Sequence, residues 1–134
     1  MWQVLSRIGT QVTTFFLVAI FGAIGSLCRY LTDTAIPWKN RELFPWGTTV
    51  VNLSGSLIMG TLTGLAAGWF TPPLVTAMGT GLIGGFTTFS TASLDTTHML
   101  IKKRYIAAAI NSVGMLVACV FCGCFGVWIG TTFL

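Results

Sequence analysis

Four long stretches of the chain are almost free of charge, and short polar or proline-bearing segments separate them. The apolar stretches fall at about residues 12–31, 47–70, 74–100 and 105–133. Each matches the roughly 20 apolar residues that a helix needs to cross a bilayer. The pattern predicts an all-α integral membrane protein of four spans in a single unit, residues 1–134. Residues 1–11 are mixed in character and read as an interfacial lead-in. The first span ends on Arg29, whose long stem can reach toward the headgroups. A polar loop follows over residues 32–44 with Asp33, Lys39, Arg41 and Glu42. Pro37-Trp38 and Pro45-Trp46 read as interfacial aromatics beside turn prolines. Thr71-Pro72-Pro73 makes an uncharged turn, and Lys102-Lys103-Arg104 closes the third span. In the second span Gly60, Gly64 and Gly68 repeat at intervals of four, a smooth face for a close helix crossing.

The third stretch is the irregular one. Gly84-Gly85-Phe86-Thr87-Thr88-Phe89-Ser90-Thr91-Ala92-Ser93 is dense in glycine and hydroxyls, inside a segment longer than a straight span needs. Each glycine weakens a helix by roughly 1 kcal/mol relative to alanine. A broken helix in hydrocarbon leaves backbone groups unpaired, which is tolerated only where the break is buried in protein or lines a wet cavity. The stretch therefore reads as an ion or solute site at mid-membrane. Thr87, Ser90, Thr91 and Thr97 fall near one helical face, and Thr88, Thr91 and Asp95 near another. Hydroxyls both donate and accept hydrogen bonds, and the ring edge of Phe89 carries partial positive charge. With no Lys or Arg among them, such groups make a weak-field anion site suited to fast passage.

Composition narrows the classes. Only 7% of the 134 residues are charged and 54% are hydrophobic, against about 25% charged in a soluble domain. No room remains for a separate soluble domain. The net charge of +4 favours anions near the mouths of a pore, although basic loops also mark topology. The apolar run from Val12 to Leu31 is too long for a cleaved signal core, and Leu27 before Cys28 does not suit a lipoprotein cleavage site. Cys119, Cys122 and Cys124 invite a metal reading, but Cys124 lies about 200° around the helix from Cys122, so the three thiols cannot converge. Gly79 to Gly84 matches a dinucleotide glycine pattern without the strand or the acidic residue that this needs. Asn52-Leu53-Ser54 matches a glycosylation sequon at membrane depth, out of reach of modification. Asn52 and Asn111 are costly in a bilayer unless partnered. They serve either as interhelical hydrogen bonds or as amide donors facing a polar conduit. Asp95 and His98, three residues apart, read as a solvated pair near the surface. Nothing completes a catalytic constellation around them, and nothing else suggests an enzyme.

Arg29 at the end of the first span, Gly47-Thr48 through Asn52, and Gly-Gly-x-Thr-Thr-Phe-Ser-Thr in a broken third span together resemble the Fluc (CrcB-type) fluoride channels. The resemblance covers essentially the whole chain. It implies a fluoride-selective passive channel in a bacterial plasma (inner) membrane, lowering fluoride toxicity by letting the trapped anion leave the cytoplasm. It implies a dimer of antiparallel subunits with two pores. It also implies one structural, non-transported sodium ion at the dimer centre, held by backbone carbonyls at positions matching Gly84 and Thr87. The pore phenylalanine of the family corresponds to Phe89 and its pore asparagine to Asn52. Ser90, Thr91 and Asn111 fall on the implied fluoride pathway, with Arg29 and Asp95 at a vestibule.

Two features depart from that pattern. Ala92 stands where the family usually has a second pore phenylalanine. Charge is also lopsided: with four spans, Arg29, Lys39, Arg41, Lys102, Lys103 and Arg104 share one side and Arg7 stands alone on the other. Such a bias favours one orientation, and a single orientation cannot build an antiparallel homodimer. The balance tilts slightly toward a heterodimer with an oppositely biased Fluc-type subunit that also supplies the missing ring. The family's homodimer stands close behind it, because Arg29 and the Lys102–Arg104 cluster can sit in protein context. Two other classes compete with the channel. A small four-span proton-coupled exporter would need an acid inside a span, and the first, second and fourth spans hold none. A non-transporting membrane assembly subunit would have no use for a broken, hydroxyl-lined span.

Overall fold

The first helix, α1 (Trp2–Ala35), is longer than the apolar pattern implies in the computed structural model, which describes residues 1–36 and 44–133. Its 34 residues span about 51 Å at 1.5 Å each, against a hydrocarbon core of about 30 Å. The loop start at Thr32 is therefore corrected, because Thr32–Ala35 belong to α1, and the lead-in is helical from Trp2. The polar residues fail to interrupt it because their hydroxyls turn back on the helix. Thr10, Thr13, Thr14 and Thr32 each donate to the carbonyl four residues earlier, at 2.8–3.0 Å. Pro37, Trp38, Lys39, Arg41 and Glu42 lie outside the described residues.

Helix α2 (Trp46–Trp69) starts within a residue of the expected place. The third segment opens with α3 (Pro72–Thr76), widens into a π-helical stretch (Ala77–Ile83) and ends in α4 (Gly84–Phe86). Thr87 and Thr88 are extended, and α5 (Phe89–Ile101) follows. The last helix comprises α6 (Tyr105–Ala109), a second π-helical stretch (Ile110–Gly114) and α7 (Met115–Thr132). Among the described residues no strand occurs. Among the described residues, three helical runs are long and apolar enough to cross a membrane: Gln3–Ala35, Trp46–Ala66 and Tyr105–Thr132. The segment between the last two is a pair of half-helices of about 22 Å and 20 Å, each short of a span alone.

Contacts along the helices fix their directions. A Cβ on Gly60 would strike the Gly123 carbonyl, and one on Gly64 would lie 2.8 Å from Gly130 Cα. These contacts advance together, so α2 and α7 run parallel. The glycine face expected on α2 is present at Gly60 and Gly64; the surroundings of Gly68 are not among those described. Its complement, Gly123, Gly126 and Gly130, lies on α7. The same device joins α1 to the half-helix 72–86, where a Cβ on Gly81 would lie 2.8 Å from the Val18 carbonyl and one on Gly85 2.5 Å from the Gly22 carbonyl. Asn52 meets Thr88 and Thr48 meets Asp95, so α2 runs antiparallel to the third segment. Small residues at crossings are the expected solution where lipid removes the hydrophobic drive between helices. Large apolar side chains such as Phe15, Phe16, Val120, Phe121 and Trp128 face outward.

The adjacent glycines do not themselves break the third segment. Gly84 is helical, with φ −62° and ψ −36°, and no described glycine has positive φ. Gly85 is needed for the close approach of α1. The break falls at Thr87-Thr88, where side chains from elsewhere take over the backbone.

Candidate functional site

The break is built around Thr88. Its backbone N–H donates to Asn52 Oδ1 at 2.8 Å, and Asn52 Nδ2 donates to the Thr88 carbonyl at 2.8 Å. One amide side chain thus pairs both backbone groups of one residue, as a neighbouring strand would. The other Asn52 N–H turns to Met115 Sδ at 3.4 Å. The Thr88 hydroxyl caps α5 by accepting from the Thr91 N–H at 3.2 Å.

These two diversions free two carbonyls. In an unbroken helix the Thr88 N–H would serve the Gly84 carbonyl and the Thr91 N–H the Thr87 carbonyl. Both donors now point elsewhere. The Thr87 hydroxyl donates to the Ile83 carbonyl at 3.0 Å, so its proton is committed and the backbone oxygen is what Thr87 offers. That oxygen accepts from Arg29 Nη1 at 3.3 Å. Arg29 therefore does not reach for headgroups; it sits six residues inside α1 and points at the break, because a carbonyl without its helical donor is the better partner. Carbonyl oxygens are the donors a hard cation takes. Gly84 is exposed, and a Cβ there would find only the Gly79 carbonyl at 3.8 Å. The donor set at Gly84 and Thr87 fits a hard cation approached from outside the chain, with one guanidinium already resting on the second oxygen.

Beside the break runs a groove of about 540 Å³ between α2, α5 and the last helix. Asn52, Thr88, Phe89, Ala92, Thr96 and Asn111 are in its wall. The two asparagines, far apart in sequence, share this one groove. The Phe89 ring is 88% exposed. Asn111 is 1% exposed and sits in the second π-helical stretch. Its Nδ2 donates to Thr96 Oγ1 at 2.8 Å and to the Ala92 carbonyl at 3.1 Å. Its Oδ1 has no partner among the described residues. The reverse placement of the amide would set that oxygen against the Ala92 carbonyl. Ala92 leaves the groove open where a larger side chain would fill it.

Other expected residues lie apart from the groove. Ser90 and Thr91 are exposed around the start of α5, with Thr91 Oγ1 3.0 Å from Thr88 Oγ1. Asp95 Oδ2 accepts from the buried Thr48 hydroxyl at 2.8 Å, tying α5 to the first turn of α2. His98 is exposed and does not join it. Sequence reasoning missed Thr88 as the hub, and Thr48, Thr96 and Met115 as partners. Only the position of Asn52 opposite the broken stretch hinted at the first of these. Electrostatically, the half-helix 72–86 presents carbonyls at the break and α5 presents amides. Half-helix ends of this kind suit ions of both signs in membrane proteins.

The profile of the family described as CrcB-like protein, Camphor Resistance (CrcB), matches residues 16–130. A protein of Leifsonia xyli subsp. xyli named fluoride-specific ion channel FluC 1 is 40% identical over 114 residues, covering 84% of this chain and 83% of the relative. One of Opitutus terrae named fluoride-specific ion channel FluC is 39% identical over 127 residues, covering 89% and 90%. One of Geobacter sulfurreducens with the same name is 32% identical over 121 residues, covering 89% and 94%. With its glycine-lined crossings, its long apolar helices and a match over residues 16–130, this multi-pass membrane chain belongs to the CrcB-like family.

Proposed function

We propose that the chain is a subunit of a fluoride-selective passive channel, and not an enzyme, in a bacterial plasma membrane. The observation that carries the reading is the groove at the break, which gathers Asn52, Phe89 and Asn111, in a chain whose relatives are named fluoride-specific ion channels. The alternating helix directions support four spans, with residues 72–101 forming the broken third one. Fluoride enters along the groove past the ring edge of Phe89. No Lys or Arg is in that wall to trap it, and no acid in the long helices Trp46–Ala66 and Tyr105–Thr132 couples its passage to protons.

The carbonyls of Gly84 and Thr87 are the proposed ligands of a structural sodium ion. Two oxygens are too few for a hard cation, so a second subunit, antiparallel to the first, supplies the rest. The exposure of Gly84 supports that arrangement. When bound, the ion joins the two subunits and balances the negative ends of the half-helices. Arg29 shares the Thr87 oxygen with the ion and adds positive potential at the break. The five basic residues Lys39, Arg41, Lys102, Lys103 and Arg104 still outweigh Arg7 once Arg29 is assigned to protein context. A partner with opposite charge bias remains slightly favoured over a second copy.

Fluoride efflux from liposomes, measured with an ion-selective electrode, tests the channel reading, alone and with a candidate partner subunit. Rapid fluoride efflux with little chloride efflux is expected. Chloride passage at a comparable rate, or efflux that needs a proton gradient, defeats it. Exchanging sodium for N-methylglucamine should shift the dimer toward monomer, and an unchanged dimer defeats the sodium role.

A further inference from the structure

A second groove, of about 870 Å³, opens on the other side of Met115. It lies within the size range of about 300–1,000 Å³ typical of ligand sites. Its walls run from Trp46 and Tyr105 at the first residues of their helices down to Leu53, Ile110 and Ala118. From Tyr105 to Ala118 the last helix rises about 20 Å, the depth of one bilayer leaflet and a little more. The walls are aliphatic along this length, and aromatics stand at the mouth, where membrane proteins place them at the headgroup level. Lys103 and Arg104 complete the mouth.

Lys103 carries a second, independent observation. Its φ is +57°, the one positive value among the described non-glycine residues. The turn is a Schellman closure of α5: the Arg104 N–H donates to the Met99 carbonyl and the Lys103 N–H to the Leu100 carbonyl, both at 2.9 Å. Glycine normally fills this left-handed position without strain. A lysine held there in its place, exposed at the mouth of an apolar groove, points to use of its charge.

We propose that this groove holds one anionic phospholipid, an acyl chain along the aliphatic wall and the headgroup phosphate on Lys103. A zwitterionic lipid such as phosphatidylcholine also brings a phosphate, but its own choline cation offsets the charge that Lys103 meets, so an anionic headgroup is the better match. The charge of the groove mouth complements a phosphate and matches no apolar partner helix. This site is separate from the groove lined by Asn52 and Asn111 and does not depend on fluoride passage.

Native mass spectrometry of the detergent-released protein, titrated with phosphatidylglycerol or phosphatidylcholine, tests the proposal. One phosphatidylglycerol per chain should persist, about fivefold more tightly than phosphatidylcholine, the effect of one basic residue near an anionic headgroup. Lys103→Gly should abolish that preference while easing the turn, so loss of folding cannot account for it. Ala107→Phe, which fills the groove, should remove both lipids. Equal retention of the two lipids, or a preference that survives Lys103→Gly, overturns the proposal. So does an Ala107→Phe variant that keeps its lipid but loses its partner chain, which would make the groove a subunit contact.

Discussion

Replacing Asn52 with leucine removes both hydrogen bonds that hold the break. The Thr88 N–H and carbonyl, each paired at 2.8 Å, lose their partner together. A buried backbone group left unpaired costs about 1–3 kcal/mol. Thr88 is half-buried, so the lower end applies to each group and the break is destabilised by about 2 kcal/mol in all. That corresponds to about a 30-fold larger open population. Amide exchange at Thr88, followed by NMR in lipid nanodiscs, should therefore quicken about 30-fold. Amides at the α2–α7 crossing, around Gly60 and Gly126, should keep their rates. Fluoride efflux should fall with the loss of order. Asn52→Asp keeps the acceptor for the Thr88 N–H but sets its second carboxylate oxygen against the Thr88 carbonyl, so the protection should not return. Efflux should stay low, because a carboxylate in the groove wall repels an anion. Unchanged Thr88 exchange in Asn52→Leu would refute the clamp.

Phe89→Ile should cut fluoride efflux severely while leaving thermal stability unaltered, since the ring is 88% exposed and supports no core; a normal efflux rate places the ring outside the pathway. Gly126→Ala would bring a Cβ against the Leu57 carbonyl and 2.8 Å from the Thr61 nitrogen. A loss of about 1–3 kcal/mol is expected from such overpacking, read as a lower melting point in lipid, whereas Gly114→Ala, which meets only the Ile110 side chain at 3.6 Å, should melt like the parent. Thr87→Val removes the hydroxyl bond to Ile83 and keeps the carbonyl. Sodium-dependent dimerisation should survive it, and its loss would assign the cation to the hydroxyl.

The long apolar runs and the break in the third of them were legible in the residues alone. Bilayer thickness sets a length that composition must meet, and few sequences meet it by chance. The start of α2 and the start of the last helix fell within a residue of expectation because a proline and a basic turn bound them. The ends of α1 did not, because threonine hydroxyls that bond their own helix look polar in sequence and leave no mark on the fold.

What only the tertiary structure decided is where the break lies and what each polar residue does there. Glycine content pointed to Gly84-Gly85, yet those residues are helical and serve the crossing with α1. The chain opens two residues later, because only there do Asn52 and the Thr88 hydroxyl reach the backbone groups that the helix gives up. Arg29 reads in sequence as a headgroup anchor and in space as a donor to a freed carbonyl. The two asparagines read alike in sequence. One clamps a backbone and the other buries an oxygen that has no partner among the described residues, a difference set by which helix stands opposite. Local composition announces that a membrane helix will break; the partners that make a break affordable come from other helices, and their reach is a property of the fold.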